Sequence, residues 1–212
     1  MSATIGHVPP SIPQFEVVEG EMPFLLRWKN PPEYSREEFL QLIETNDDFE
    51  IESECDGSIL ISPGVTFKTN SDETEVLVQL ALWAKKDGTG KALGPTGRYL
   101  LPNRARRAPD AAWIRRERVE ALPESDIRNI PYLVPDFVVE VRSKSNSLRR
   151  LKAKMEEYLA NGVKLGWLLD EEKQVAYVYR PGAEVQVLEH ATALDASPEL
   201  PGFVLDLTPI WT

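Results

Sequence analysis

Cysteine is almost absent from this sequence: Cys55 stands alone among 212 residues. That excludes an internal disulfide framework and a cysteine-based zinc cluster. Histidine is nearly as scarce, with only His7 and His190. A Ser-His-Asp triad, a Cys-His dyad and a histidine-rich metal site are all disfavoured. Any chemistry therefore falls to carboxylates and lysines. No apolar run approaches the ~20 residues that span a bilayer. The opening MSATIGHVPPSIP has neither the basic start nor the apolar segment of a secretory signal. The simplest expectation is a cytoplasmic protein. A basic excess is lacking too. The net charge of −10 argues against nonspecific binding to nucleic acid, because phosphate contacts need Lys and Arg.

What is present suffices for one domain with a sizeable core, since 42% of the residues are apolar. The charge is unevenly spread. Between positions 98 and 118 stand seven arginines, at 98, 104, 106, 107, 115, 116 and 118, against only Asp110 and Glu117. A local basic patch can survive in an acidic protein. The plainer reading is a solvated loop whose arginines pair with surrounding acids.

Residues 1–32 are proline-rich and read as an irregular arm, leaving 33–212 as the domain. YSREEFLQLIETN reads as a helix opened by the capping box Ser35-x-x-Glu38, with Phe39, Leu40, Leu42 and Ile43 on its buried face. FEIESECDGSILIS reads as a β-hairpin turned at Asp56-Gly57. A helix is predicted over 72–86, where Val76, Leu77, Leu80, Trp83 and Ala84 recur at helical spacing, with Gly88 as the stop. GKALGPTGRYLLP and APDAAWIRRE read as strands split by a basic turn, and VPDFVVEV as a third. SNSLRRLKAKMEEYLANG is the clearest helix, followed by the strands KLGWLLD and QVAYVYR and by further strand-like pieces in EVQVLEH and GFVLDLTPIW. The central order is helix, three strands, helix, strand. A strand–helix–strand series forms a right-handed crossover between parallel strands. The expected fold is thus α/β, a mixed central sheet flanked by helices, with the N-terminal helix and hairpin added.

One strand carries an anomaly. In VPDFVVEVRSKS, alternation puts Phe137, Val139 and Val141 on one face and Asp136, Val138, Glu140 and Arg142 on the other. Charge is rarely buried unless it is paired or holds a metal. Glu140 either pairs with an arginine or faces a cleft. Asp110 follows Pro109 at the head of the strand expected alongside. Two carboxylates converging from neighbouring strands suit Mg²⁺, which takes one or two carboxylates and keeps several waters. A lysine nearby would stabilise growing negative charge. With Leu151 as zero and ~100° per residue, Lys154 falls at about −60° and Lys152 at about +100°, both flanking the buried stripe of that helix. Either is a candidate, and either is also an ordinary rim lysine. Glu75, at the start of the helix over 72–86, could reach a metal or could close a capping box with Asp72. Asp136 lies roughly 13 Å along the strand from Glu140, too far to share one ion.

APDAAWIRRERVEAL and VPDFVVEVRSKSNSLRRLKAKMEEYLANGVKLGWLLD, together with GPTGRYLLP and LPGFVLDLTPIW, resemble a restriction-endonuclease family abundant in cyanobacteria. That family was long catalogued as a domain of unknown function and belongs to the PD-(D/E)XK superfamily. The likeness runs from about Glu38 to Trp211. It implies the superfamily's restriction-endonuclease-like αβββαβ core and a metal-dependent DNA endonuclease, with Mg²⁺ or Mn²⁺ as cofactor. It also implies DNA as partner and, more weakly, a homodimer. Carried over, Asp110 is the aspartate of the P-D element and Glu140 the acid of (D/E)XK. The backbone carbonyl of Val141 is a further metal ligand, and Glu75 matches a glutamate of the first core helix. Arg142 stands where the lysine usually stands, and arginine cannot act as a base at neutral pH. The family's K-x-x-E-Y element falls on Lys154, Glu157 and Tyr158, which relocates the lysine to the helix. The basic turn at Arg104, Arg106 and Arg107 is expected to contact the nucleic-acid backbone. The displaced lysine and the acidic charge keep an alternative open: a nuclease fold without catalysis, acting as a nucleic-acid-binding or regulatory module.

Overall fold

A computed structural model describes residues 12–13, 23–144 and 146–212. Most of the expected proline-rich arm lies outside these residues. Its last part forms a short strand, β1 (Phe24–Leu26). Helix α1 (Arg36–Thr45) has the expected capping box. Glu38 N–H donates to the Ser35 hydroxyl at 3.1 Å, and Ser35 N–H donates to the Glu38 carboxylate at 2.7 Å. Strands β2 (Glu50–Ser53) and β3 (Ile59–Ser62) form the hairpin. Gly57 turns it with φ +82°, a left-handed conformation that side chains disfavour.

Helix α2 (Phe67–Asp87) starts five residues before the expected position. Thr66 is its N-cap, so the capping box expected of Asp72 and Glu75 does not form. Asp72 instead accepts from Lys68 at 2.6 Å, one turn earlier in the helix. Strand β4 (Gly90–Leu93) follows, then β5 (Tyr99–Leu100), β6 (Arg106–Arg107) and β7 (Ala111–Arg115). Two short helices, α3 (Arg116–Glu120) and α4 (Glu124–Ile127), lead to β8 (Phe137–Val141). The chain continues through α5 (Leu148–Ala160), β9 (Leu165–Asp170), β10 (Val175–Tyr179) and β11 (Gln186–Glu189). It ends with β12 (Ala193–Asp195) and β13 (Val204–Asp206).

Two sheets organise the molecule. The larger is mixed, in the order β11-β10-β9-β8-β7-β4, and its parallel pair, β8 and β9, is joined by α5. The smaller is antiparallel, in the order β1-β3-β2-β6-β5. GKALGPTGRYLLP, expected as one strand, is split between them. The chain leaves the large sheet after β4, runs through β5 and β6 in the small sheet, and returns at β7. Ala108-Pro109-Asp110 is therefore a junction between sheets.

The core has two main halves, one on each face of the large sheet. On one face Phe137, Val139 and Val141 pack with α2 and the C-terminal segment around Trp83, Trp113, Trp167 and Phe203. On the other, Val138, Ala112 and Leu168 pack with Leu151, Met155 and Tyr158 of α5. Gly166 lets α5 lie close, because a Cβ there would stand 2.4 Å from Met155 Cε. Strand β8 is thus buried on both faces, and Glu140, near its C-terminal end, lines a cavity. A parallel β–α–β crossover lays its helix over the sheet, so α5 covers Val138 and leaves only the C-terminal end of β8 for a site. Among the described residues, no helix is long and apolar enough to cross a membrane.

Candidate active site

Asp110 and Glu140 stand side by side. Strands β7 and β8 are antiparallel with Ala111 opposite Val139, so the register sets Asp110 opposite Glu140 one residue further on. Asp110 Oδ2 accepts the Val141 N–H at 2.6 Å. The paired register ends at Ala111 and Val139, and the chain bends at Asp110. Arg142 N–H bonds towards β9, so Val141 turns its N–H and C=O towards the β7 edge, beside Asp110.

Glu140 is held by α5. Lys154 Nζ lies 2.9 Å from Glu140 Oε1 and 3.0 Å from Oε2, and the Tyr158 hydroxyl donates to Oε1 at 3.0 Å. Lys154 also meets Glu52 Oε1 at 3.0 Å and the Ala108 carbonyl at 3.3 Å. Lys152 does something else: its ammonium sits 4.2 Å from the centre of the Tyr177 ring. The two lysines flank the buried stripe of α5 as helical geometry requires. Lys154 meets the small sheet through Glu52.

Glu75 does not reach this place. It accepts a hydrogen bond from Gln79 at 2.9 Å, and Gln79 in turn bonds the backbone of Asp206. Two residues is about 200° of helix, so the carboxylate facing the site is Glu73. It is 6% exposed and has no hydrogen bond or ion pair among the described residues. Its stripe also carries Val76 and Leu80, both fully buried. A glutamate on the apolar face of a helix was the signal that sequence reading passed over. Glu52 was missed as well. Its signal was the alternation Glu50, Glu52, Glu54, which puts three acids on one face of a hairpin strand.

These groups line a cavity of about 300 Å³ between the sheets. Seven carboxylate residues line it against four cationic ones, which leaves uncompensated negative charge. Burial pushes the Asp110 carboxyl well above its usual range, and neighbouring Glu140 and Glu73 push it further. Burial likewise raises Glu140 against the opposing pull of Lys154. Glu73 is pushed up to about 7, by burial first and then by Glu50, Glu140 and Asp72. Lys154 moves the other way: burial lowers it, but Glu140, Glu52 and Asp110 outweigh that and hold it well above its ordinary value. It is a cation at neutral pH.

The crowding among carboxylates is what a bound cation would relieve. Two carboxylates and a carbonyl suit Mg²⁺, which keeps several waters of its own. Among the described residues, no group of three or more His, Cys, Asp or Glu side chains is placed to hold a metal ion.

Glu73 makes a pH prediction possible. Between its ordinary value of 4.5 and about 7, the folded protein keeps a proton that the unfolded chain has released. Its contribution to stability therefore falls as pH rises through that window. In EDTA, Glu73→Gln is expected to gain in melting temperature over wild type as the pH goes from 5 to 8. A difference that stays constant across those pH values would refute the assignment.

Two of the three arginines of the basic turn are engaged inside the fold. Arg107 is 4% exposed and is gripped by Glu54 at 2.5 Å, Glu157 at 2.5 Å and Glu52 at 3.6 Å. Arg106 lies over the Phe39 ring and donates to the Tyr34 carbonyl at 2.6 Å. Arg104 alone of the three is exposed, at 3.4 Å from Glu33. Within the fold Arg107 serves ion pairs and Arg106 a ring contact. The Arg107 cation neutralises acids brought by the β2 segment and by α5. Arg142 does not enter the site either: it grips Asp170 through two contacts of 2.9 and 3.0 Å. Asp136 caps its strand start, accepting from Arg115 N–H and pairing with Arg118 at 2.7 Å.

A mixed sheet carrying the series α2, β4, β7, β8, α5, β9, with acids at the adjoining ends of β7 and β8, defines the restriction-endonuclease-like class of α/β fold. The chain belongs to the Uma2 family, described as "Putative restriction endonuclease", whose model matches residues 36–208. Among solved structures it is similar to a protein of Anabaena variabilis, described as "a putative nuclease belonging to DUF820". The TM-score is 0.72 at 24% identity, over 84% of this chain and 98% of that one. No curated protein matches it significantly.

Proposed function

We propose that the protein is a Mg²⁺-dependent DNA endonuclease that hydrolyses phosphodiester bonds at the cavity between its sheets. One observation carries the reading: the Lys154 ammonium lies within hydrogen-bonding distance of Glu140, the acid whose strand neighbour is Asp110. Asp110, Glu140 and the Val141 carbonyl would hold the ion. When bound, such an ion polarises the phosphodiester, lowers the pKa of water and offsets the charge of the leaving oxygen. Lys154, kept protonated by its acids, supplies positive charge to the transferring phosphoryl group rather than acting as a base. The Tyr158 hydroxyl orients Glu140. Glu73 takes the part expected of Glu75, an acid beside Asp110 and Glu140 that orients water.

The test is nicking of supercoiled plasmid with Mg²⁺ or Mn²⁺. Wild type is expected to nick, and Glu140→Gln to lose about 10²–10³-fold in rate. Glu140→Gln keeps an acceptor for Tyr158, so a loss of folding does not stand in for a loss of chemistry. DNA bound but cut by neither protein would point instead to a nuclease fold serving as a binding module.

A further inference from the structure

Glu52 lies outside the helix–three strands–helix–strand series that carries Asp110, Glu140 and Lys154. It belongs to β2 of the small sheet, and its side chain is 11% exposed. Its Oε1 meets Lys154 Nζ at 3.0 Å and accepts the Ala108 N–H at 2.7 Å. Its Oε2 is 3.6 Å from Arg107. The Ala108 carbonyl in turn accepts from Lys154 at 3.3 Å. Both backbone polar groups of Ala108 therefore enter the Glu52–Lys154 pair, two residues before Asp110. A lysine is a point charge on a flexible four-carbon stem. At the rim of α5, with Glu140 alone as partner, it would be free to swing towards water.

We propose that Glu52 is a positioning residue: from the small sheet it holds the Lys154 ammonium against Glu140 and, through Ala108, ties that ammonium to the strand that presents Asp110. Its catalytic consequence rests on the nuclease reading; its geometry does not. Glu52 is ionised for this task. Burial pushes its carboxyl up, but Lys154, Arg107 and the Ala108 N–H outweigh burial and keep it below its usual value. Arginines alone satisfy the neighbouring acid Glu54, through Arg107 and Arg150. The contact between Glu52 and Lys154 goes beyond that need.

Two measurements test the proposal. Glu52→Ala is expected to lower kcat for Mg²⁺-supported nicking about 10- to 100-fold, with KM for DNA changed by roughly twofold or less. Glu52→Gln keeps an acceptor for Lys154 and Ala108, and should recover kcat to within about fivefold. Glu54→Ala removes ion pairs to Arg107 and Arg150 just past the end of β2 and is the structural control. Equal losses of kcat in the Glu52 and Glu54 variants overturn the proposal. Should Glu52→Ala not fold, Glu52→Asp, one methylene short of Lys154, carries the same comparison. The second measurement is a crystal structure of the metal-free variant, in which Lys154 Nζ should leave its place between Glu140 and the Ala108 carbonyl. An unmoved Nζ overturns the proposal whatever the kinetics. If wild type nicks no DNA, the nuclease reading fails and the crystal alone decides the role of Glu52.

Discussion

Replacing Lys154 with methionine is expected to reduce DNA nicking about 10²–10³-fold and to cost about 3–5 kcal/mol of folding stability. The two effects share one cause. Lys154 is the cation between Glu52 and Glu140, and both acids are buried. Methionine fills nearly the same volume, so packing is little disturbed. What remains among the described residues is Glu140 without a counter-charge, facing a Glu52 that keeps only Arg107 at 3.6 Å. Such groups regain neutrality by binding protons, so their folded pKa values rise above those of the unfolded chain. The stability deficit should therefore be smallest at acid pH and should grow as pH rises. Urea unfolding at pH 5 and pH 8, with plasmid nicking at the higher pH, measures both. A variant that unfolds like wild type at pH 8 would show that the acids do not depend on Lys154.

Arg107→Met is expected to be comparably severe for stability, about 3–5 kcal/mol, because one buried guanidinium balances three carboxylates. Those carboxylates come from β2 and the turn that follows it in the small sheet and from α5 of the large one, so the loss loosens the joint between the sheets. The consequence for DNA separates two readings. A residue that contacted phosphate would reduce the salt dependence of binding by about one charge when removed. Buried as it is, Arg107 should leave that slope unchanged. Arg104→Ala, at an exposed pair worth about 0–1 kcal/mol, supplies the comparison. An Arg107→Met variant as stable as wild type but with a shallower salt slope would restore Arg107 to the nucleic-acid surface.

The local elements were legible because each had a physical signature within reach of a few residues. Ser35 and Glu38 cap α1, Asp56-Gly57 turns the hairpin, and Gly88 ends α2 as expected. The start of α2 was not legible. Asp72 and Glu75 imitate a capping box, while the working cap is Thr66. The split of GKALGPTGRYLLP between two sheets was hidden as well, since either half reads as strand and only the partners across the ladder tell them apart.

The sequence by itself determined the α/β order, the acid after Pro109 beside the acid of β8 and, through its family resemblance, Lys154 as the lysine. The first two follow from periodicity and from residue types that tolerate few conformations. Tertiary structure alone decided which acids and cations meet. Only in space does Lys154 meet Glu140 and the distant Glu52 together. Glu73 rather than Glu75 faces Asp110, because α2 is rotated by its packing on Trp113, Phe137 and their neighbours. Arg107 turns inward because acids from distant parts of the chain converge on it. Electrostatic partnership depends on distance in space, and residues 52, 107, 140 and 154 are brought within a few ångströms only when both sheets have formed.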